Sequence, residues 1–191
     1  MPPETIQMSL VGDRPLLMHA ARLSDPLDPI ALDLKRLAAK RGKVAADYEE
    51  LARIEWYGGL WLADGAPCIP GEALESCFAA AARTRRMGRA AGAGFMVARP
   101  APLDYGGPRD IDALWRMAEY RFRFPVQVNG SRTMRTRPRF MNWSAIVEAE
   151  FLPSLLTRAD ILEIFRIAGA QVGIGDWRPK FGRFRVNVDA A

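Results

Sequence analysis

The chain has 191 residues, of which 49% are hydrophobic and 26% charged, a composition typical of a globular protein with a sizeable core. No window approaches the roughly 18 apolar residues that a membrane-spanning helix needs, and the N-terminal residues show no secretory-signal pattern. The two cysteines are too few for a disulfide framework or a cysteine-rich zinc site, so we expect a reducing, cytoplasmic environment.

The positive charge is concentrated in the C-terminal part of the sequence. Residues 1–75 contain 8 Lys and Arg against 12 Asp and Glu. Residues 76–191 contain 19 against 10, and all but one of those 19 cations are arginine. Arginine binds phosphate through a planar fork of donors and also stacks on bases. The asymmetry therefore favours a nucleic-acid partner over a merely solvated basic surface.

The N-terminal stretch predicts a strand followed by an ambiguous segment. Residues 5–11 alternate between apolar and polar side chains, which is typical of a half-buried strand. Residues 15–24 are consistent with a short strand or with a loop, and they contain the only histidine, His19. A lone histidine is more often structural than catalytic, but the near-neutral pKa of histidine leaves a general acid–base role open.

Two helices are predicted next in the chain. Residues 28–41 carry apolar side chains at helical spacing, with Asp28 as the N-cap. Residues 44–56 carry a second apolar stripe, and two glycines follow them. Because this pair lies between the first strand and the next helix, we interpret residues 25–66 as a helical insertion.

Residues 68–95 predict a helix that begins at Pro70 and Gly71 and ends in a basic segment. One helical face is apolar and is formed by Ala73, Leu74, Cys77, Phe78 and Ala81. The segment that follows contains no acidic residue, and its arginines are Arg83, Arg85, Arg86 and Arg89. Two further glycines predict that this basic exit is flexible, and its uncompensated charge suggests an anionic partner.

Short elements are predicted after this helix. Residues 95–98 form a plausible short strand. Residues 99–108 are rich in proline and glycine and are predicted to be a loop. Residues 110–117 predict a short helix with Asp110 as its cap.

An arginine-rich hairpin is predicted at residues 119–140. Residues 120–128 alternate, with aromatic and aliphatic side chains on one face and Arg121 and Arg123 on the other. Asn129-Gly130 is a strong hairpin signal. The return arm, residues 131–139, carries Arg132, Arg135, Arg137 and Arg139. Six arginines without a carboxylate repel one another, which predicts that an anion covers them.

The C-terminal part predicts a strand, a helix and a closing strand. Residues 143–151 alternate as a strand does, and Thr157 with Asp160 resembles a capping box for a helix that ends near residue 168. Residues 173–182 are a glycine-rich basic loop. The last strand is predicted at 183–188, with Arg183 and Arg185 pointing outward.

The order of these elements is the β-α-β-β-α-β pattern of a ferredoxin-like or RRM-like α+β domain. We therefore predict a single domain over residues 1–191 that contains the helical insertion and the arginine-rich hairpin. In such a fold the helices cover one sheet face, and the other face is open to single-stranded nucleic acid. The side chains predicted to point to that open face or its edges are Arg121, Arg123, Arg183 and Arg185.

Two motifs resemble the RAMP superfamily, whose members include backbone and guide-processing subunits of CRISPR effector complexes. Residues 68–75 read CIPGEALE and are similar to an IPGSSLKG-type segment at a helix start. Residues 173–186 read GIGDWRPKFGRFRV and are similar to the glycine-rich loop that runs into the closing strand. Residues 8–18 also resemble the first strand and turn of these proteins. The chain is thus similar to a CRISPR-associated subunit or to a stand-alone relative in a phage or mobile element.

The resemblance implies a non-catalytic subunit that coats single-stranded RNA or DNA, as an oligomer, a filament or part of an effector complex. Glu72 competes for the N–H groups at the helix start, so the phosphate contacts are assigned to arginines and the glycine-rich loop. The predicted cationic contacts are Arg83, Arg85, Arg86, Arg89, Arg121, Arg123, Arg132, Arg135, Arg137, Arg139, Arg178, Lys180 and Arg183. The candidate aromatic surfaces for bases are Trp177, Phe181 and Trp143.

Two other functions are kept open. A metal-independent endoribonuclease of the same superfamily would use His19 as general acid or base. A protein-assembly subunit, such as a phage structural component, would bind acidic protein through the basic surface. We expect no cofactor and no metal site, since the sequence contains none of the phosphate-binding, dinucleotide-binding or zinc-protease motifs.

Overall fold

The computed structural model describes residues 2–128 and 130–187, so Asn129 of the predicted turn and Val188 of the predicted last strand lie outside the described residues. The chain divides into two compact units. The first comprises Met1–Leu16, Leu62–Gly106 and Met141–Ala191, and the second comprises Leu17–Trp61 and Gly107–Phe140. The second unit thus contains most of the predicted helical insertion together with the arginine-rich hairpin.

The described residues form an α+β protein with antiparallel sheets, as the sequence predicts. In chain order the strands are β1 (Glu4–Gly12), β2 (Leu16–Leu17), β3 (Leu62–Ala63), β4 (Ala66–Ile69), β5 (Phe95–Met96), β6 (Ala101–Asp104), β7 (Arg121–Val128), β8 (Ser131–Phe140), β9 (Ser144–Phe151) and β10 (Phe184–Asn187). The α-helices are α1 (Pro29–Ala39), α2 (Ala45–Gly59), α3 (Gly71–Thr84), α4 (Gly88–Gly94), α5 (Ile111–Arg116) and α6 (Arg158–Ile167). Within this part of the chain, no helix is both long enough and apolar enough to cross a bilayer.

The first unit is built on a seven-stranded sheet in the order β10–β1–β9–β6–β4–β3, with β5 also paired to β9. Alternate residues of the central strands are buried, and β9 buries every second side chain from Ala145 to Phe151. Phe78 of α3, Phe95 of β5 and Phe165 of α6 form an aromatic cluster with ring centroids 4.0–5.5 Å apart. The predicted apolar faces of these elements therefore meet in one core.

The exposed face of this sheet carries carboxylates together with apolar side chains, Ile146 and Met96, and with Arg185. Glu148 and Glu150 point outward from β9 and lie opposite Gln7 and Thr5 of β1. Among the described strands, no aromatic side chain is exposed on this face. Arg121 and Arg123, which the sequence assigns to it, lie instead on the separate sheet of the second unit. The prediction that Arg121 and Arg123 lie on this face is therefore wrong, because the hairpin does not join the large sheet, whereas Arg185 of β10 does lie on it.

Two local predictions in the first unit are also wrong. The proline-rich segment predicted as a loop contains β6, because Leu103 pairs with Ala145 while Ala101 pairs with Ile69. The segment predicted as a flexible basic exit is mostly helix α4, which buries Ala91 and ends in a buried glycine. Both elements are held by neighbours distant in sequence, which local composition does not report.

The second unit combines helices α1, α2 and α5 with a three-stranded sheet in the order β2–β8–β7. Helix α1 begins as predicted, with the Asp28 carboxylate accepting hydrogen bonds from the N–H groups of Ile30 and Ala31. Trp56 of α2 is fully buried, and its indole N–H donates to the carbonyl of Tyr120 at 2.8 Å. This bond ties the helix to the start of the hairpin.

Candidate functional site

The register of the hairpin distributes its arginines over both faces. Arg123 lies opposite Thr136, while Phe124 lies opposite Arg135 and Phe122 opposite Arg137. Because cross-strand partners point to the same side, Arg135 and Arg137 share the face of the phenylalanines. Arg132 lies opposite Gln127 and therefore shares the other face with Arg123. The sequence correctly predicts the alternation of β7 but does not predict this pairing.

Arg137 is a buried structural residue. It is 6% exposed, and its guanidinium donates to the Glu55 carboxylate at 2.8 Å. Glu55 also accepts a hydrogen bond from the Thr136 backbone N–H, and it lies 3.5 Å from the Arg135 guanidinium. Helix α2 therefore supplies the carboxylate that the hairpin sequence lacks. Because it is buried and paired, Arg137 is not an external phosphate contact, contrary to the prediction.

The other hairpin arginines lie at the surface. The Arg121 guanidinium carbon is 4.9 Å from the ring centroid of Trp115, and that of Arg139 is 5.3 Å from the ring centroid of Phe122. Arg123 and Arg132 are exposed, and no carboxylate among the described residues lies within ion-pair distance of either. These two cations are the ones available to an external anion.

The whole net charge of the chain resides in the second unit. This unit contains 15 Lys and Arg against 10 Asp and Glu, whereas the first contains 12 against 12. The charge difference between the N- and C-terminal parts of the sequence therefore does not coincide with the charge difference between the two structural units. Within this unit, residues 17–61 carry seven charges of each sign, so the excess comes from residues 107–140, with 8 Lys and Arg against 3 Asp and Glu.

The glycine-rich loop of the first unit closes on itself. Ile174 N–H donates to the Gly182 carbonyl at 2.9 Å, and Gly182 N–H donates to the Pro15 carbonyl at 2.8 Å. Gly182 has φ +71°, and a Cβ added there would lie 1.7 Å from the Ile174 carbonyl oxygen. Only glycine fits this position, because the conformation and the close backbone approach both exclude a side chain.

The tip of this loop presents aromatic and cationic side chains together. Trp177 is 42% exposed, and its ring lies 5.5 Å from that of Phe181. The Lys180 ammonium lies 4.3 Å from the Trp177 centroid, and Arg178 is exposed beside them. An exposed ring with a neighbouring cation can stack on a base and bind its phosphate. Trp143, by contrast, is 3% exposed, so it packs in the core and cannot serve as such a surface.

The two arginines that follow the loop, Arg183 and Arg185, are not freely available to a ligand. Arg185 donates to the Asp13 carboxylate at 2.7 Å. Arg183 is half-buried, and its Nε atom is buried without a hydrogen-bond partner among the described residues. Arg183 therefore does not point freely outward as predicted.

The predicted basic segment spans the end of α3, the turn after it and the start of α4. All four of its arginines are exposed: Arg83, Arg85, Arg86 and Arg89. Arg85 lies 3.3 Å from the Glu163 carboxylate of α6, so one of them has an acidic partner that the local sequence does not show. Arg86 has φ +60° and forms the tight turn.

The two segments that carry the family resemblance meet in the structure. The Cys77 thiol of α3 donates to the Gly173 carbonyl at 3.2 Å. Burial raises the pKa of Cys77 to about 12 and that of Cys68 to about 11, from an ordinary value of 9.0. Both thiols are therefore protonated packing groups in the folded protein.

These raised pKa values predict a loss of stability at alkaline pH. Between about pH 9 and pH 11 the thiols ionise in the unfolded chain but stay protonated when folded, so the free energy of unfolding falls by up to about 1.4 kcal/mol per pH unit for each thiol. Urea denaturation at several pH values measures this slope, and Cys77→Ala should reduce it. An unchanged slope in the variant would show that the Cys77 thiol does not titrate as proposed.

The alternative catalytic residue, His19, is exposed and lies two residues after the end of β2. Among residues 2–128 and 130–187, no group of three or more His, Cys, Asp or Glu side chains is placed to hold a metal ion.

Three residues of the second unit were not predicted as part of a site. Glu55 continues the apolar stripe of α2 one turn after Leu51, and an acidic residue at a core position is a signal of a buried partner. The other two are aromatic residues of the same unit: Trp115 is half-buried and Tyr48 is 50% exposed.

Comparison with known proteins does not identify a family for this chain. No family model matches the chain, and no curated protein is significantly similar to it.

Proposed function

We propose that the chain is a non-catalytic, single-stranded nucleic-acid-binding protein of RAMP type that assembles along RNA or DNA. The observation that carries the proposal is the hairpin of the second unit, where Arg123 and Arg132 are exposed without a carboxylate partner among the described residues. Exposed arginines on a unit with excess positive charge are suited to phosphate groups.

The first unit supports the RAMP-type interpretation in two ways. In a β-α-β-β-α-β domain the first and third strands are central, the fourth lies beside the first, and the second lies beside the third. The order β10–β1–β9–β6 is compatible with that arrangement, with β5 also beside β9. In addition, the two motifs that resemble the superfamily are in contact through Cys77 and Gly173. Self-association or assembly with other effector subunits is part of the same proposal.

Binding is expected to weaken steeply with salt. For a single strand the slope of log affinity against log salt is about −0.7 per phosphate neutralised, so three contacts lower affinity about 20-fold between about 50 and 200 mM salt. Fluorescence anisotropy with a labelled oligonucleotide of about 30 nucleotides measures the slope. Salt-independent binding, or no binding of RNA or DNA of this length, would contradict the proposal.

The nature of the ligand is tested on material that copurifies with the protein. Nucleic acid extracted from the purified protein is divided and treated with RNase or DNase, which separates the two polymers. Intact RNA after incubation with the protein in EDTA supports the non-catalytic assignment. Cleavage that is lost in His19→Ala would instead favour the endoribonuclease.

A further inference from the structure

Two adjoining cavities lie within the second unit, on either side of Arg123. The first has a volume of about 440 Å³ and lies between helices α1 and α2 and the return arm of the hairpin. The second has a volume of about 490 Å³ and lies between α2, β7 and Trp115. Ala52, Arg123 and Thr136 line both, so the two cavities adjoin along α2, and we call them together the trough.

Each half of the trough has an aromatic wall. Tyr48 of α2 lines the first cavity and is 50% exposed. Trp115 of α5 lines the second and is half-buried. Its ring centroid lies 5.5 Å from that of Trp56 and 4.9 Å from the Arg121 guanidinium carbon, which is over the ring. These contacts hold the indole in place, and a base stacks on it beside the Arg121 guanidinium or in its place.

Cations dominate the first half of the trough. Lys43, Arg132 and Arg135 line it beside Arg123. Its single carboxylate, Glu55, is already bonded to Arg137 and to the Thr136 N–H. This half is therefore positively charged above a floor of aliphatic side chains.

The second half contains both signs of charge. The carboxylate of Glu50 is neutralised by Arg53, which donates two hydrogen bonds of 2.8 Å to it. Glu49 is exposed on the wall and has no ion pair among the described residues. Arg121 and Arg123 supply the remaining cations, so Glu49 is the one lining carboxylate in this part of the chain without a cationic partner.

We propose that this trough binds consecutive nucleotides of a single strand, with one base against Tyr48, the next against Trp115, and the linking phosphate at Arg123. The inference rests on the proposed function and assigns the strand path within it. Each cavity falls in the range of about 300–1,000 Å³ usual for small-molecule sites. Aromatic walls on both sides of an exposed arginine match the repeating base and phosphate chemistry of a polynucleotide.

Point variants test the path with a labelled oligouridylate of about 12 nucleotides and its DNA equivalent. Trp115→Leu and Arg123→Gln are each expected to weaken binding roughly 5- to 100-fold. Glu49→Gln is expected to strengthen it about two- to fivefold, because a repelling charge is removed. Arg36→Gln is the control, since it removes an exposed cation of the same unit that pairs with Asp33 outside the trough.

Ultraviolet cross-linking gives a second readout that does not depend on a variant. Cross-linked uridine is expected on peptides that contain Tyr48 or Trp115. If wild-type protein binds but Arg123→Gln binds equally well and the cross-links map to the loop around Trp177, the trough assignment is overturned while the proposed function stands. If wild-type protein binds no oligonucleotide, the proposed function itself fails. If polyglutamate of the same length competes equally well, the ligand of the trough is an acidic protein segment and not a polynucleotide.

Discussion

Replacement of Glu55 by alanine is expected to lower the free energy of unfolding by about 3–5 kcal/mol, the range for breaking a buried ion pair from one side. The substitution removes a carboxylate that neutralises the buried Arg137 guanidinium. It also deprives the buried Thr136 N–H of its side-chain acceptor. Since these groups lie on helix α2 and on β8, the substitution loosens the hairpin from the helix.

Urea denaturation followed by circular dichroism measures this effect. Glu50→Ala is the matched control on the same helix, because its pair with Arg53 is solvent-exposed and is expected to contribute less than about 1 kcal/mol. Glu55→Gln keeps an acceptor without the charge and should lie between Glu55→Ala and wild type. Equal losses in Glu55→Ala and Glu50→Ala would show that the buried pair does not hold the hairpin.

Replacement of Gly182 by alanine is expected to destabilise the first unit by about 3 kcal/mol or more, because left-handed backbone alone costs about 1–3 kcal/mol for a residue with a Cβ. The added Cβ would also lie 1.7 Å from the Ile174 carbonyl oxygen, so the loop must open. Opening breaks the hydrogen bonds from Ile174 to Gly182 and from Gly182 to Pro15. The exposed pair of Trp177 and Lys180 would then lose its fixed position.

Gly92→Ala is the matched control for this substitution. Gly92 lies in helix α4, is exposed, and has no atom within 4 Å of an added Cβ. Alanine there is expected to stabilise the protein by about 0.5–1 kcal/mol, the usual gain over glycine in a helix. Thermal denaturation of both variants should therefore shift in opposite directions, and a small shift in Gly182→Ala would contradict the rigid loop.

The arginine-rich hairpin illustrates why a charge pattern in the sequence overestimates the number of residues that are available to a ligand. Six arginines without a local carboxylate suggested six contacts with an external anion. In the structure Arg137 is neutralised from within by Glu55, and Arg121 lies over the Trp115 ring. Arg123 and Arg132 are the remaining exposed cations on which the proposed interface depends most directly.

Local patterns predicted most helices and strands because the interactions that start and orient them act within a few residues. Asp28 and Thr157 cap their helices as expected, and the alternation of β9 places each predicted apolar residue in the core. The same patterns failed for β6 and α4, since pairing with distant strands and burial of small residues outweighed proline and glycine composition.

By itself, the sequence determined the α+β class, the approximate bounds of most helices and long strands, and the presence of an arginine-rich hairpin, because these depend on neighbours along the chain. The tertiary structure decided which sheet the hairpin joins and which arginines remain exposed. Arg137 meets its carboxylate across 82 residues, and the cavity beside Trp115 is also lined by residues 46–53 of α2 and by Thr136 of β8. Charge compensation and cavity walls arise from such distant contacts, which leave no periodic trace in the sequence.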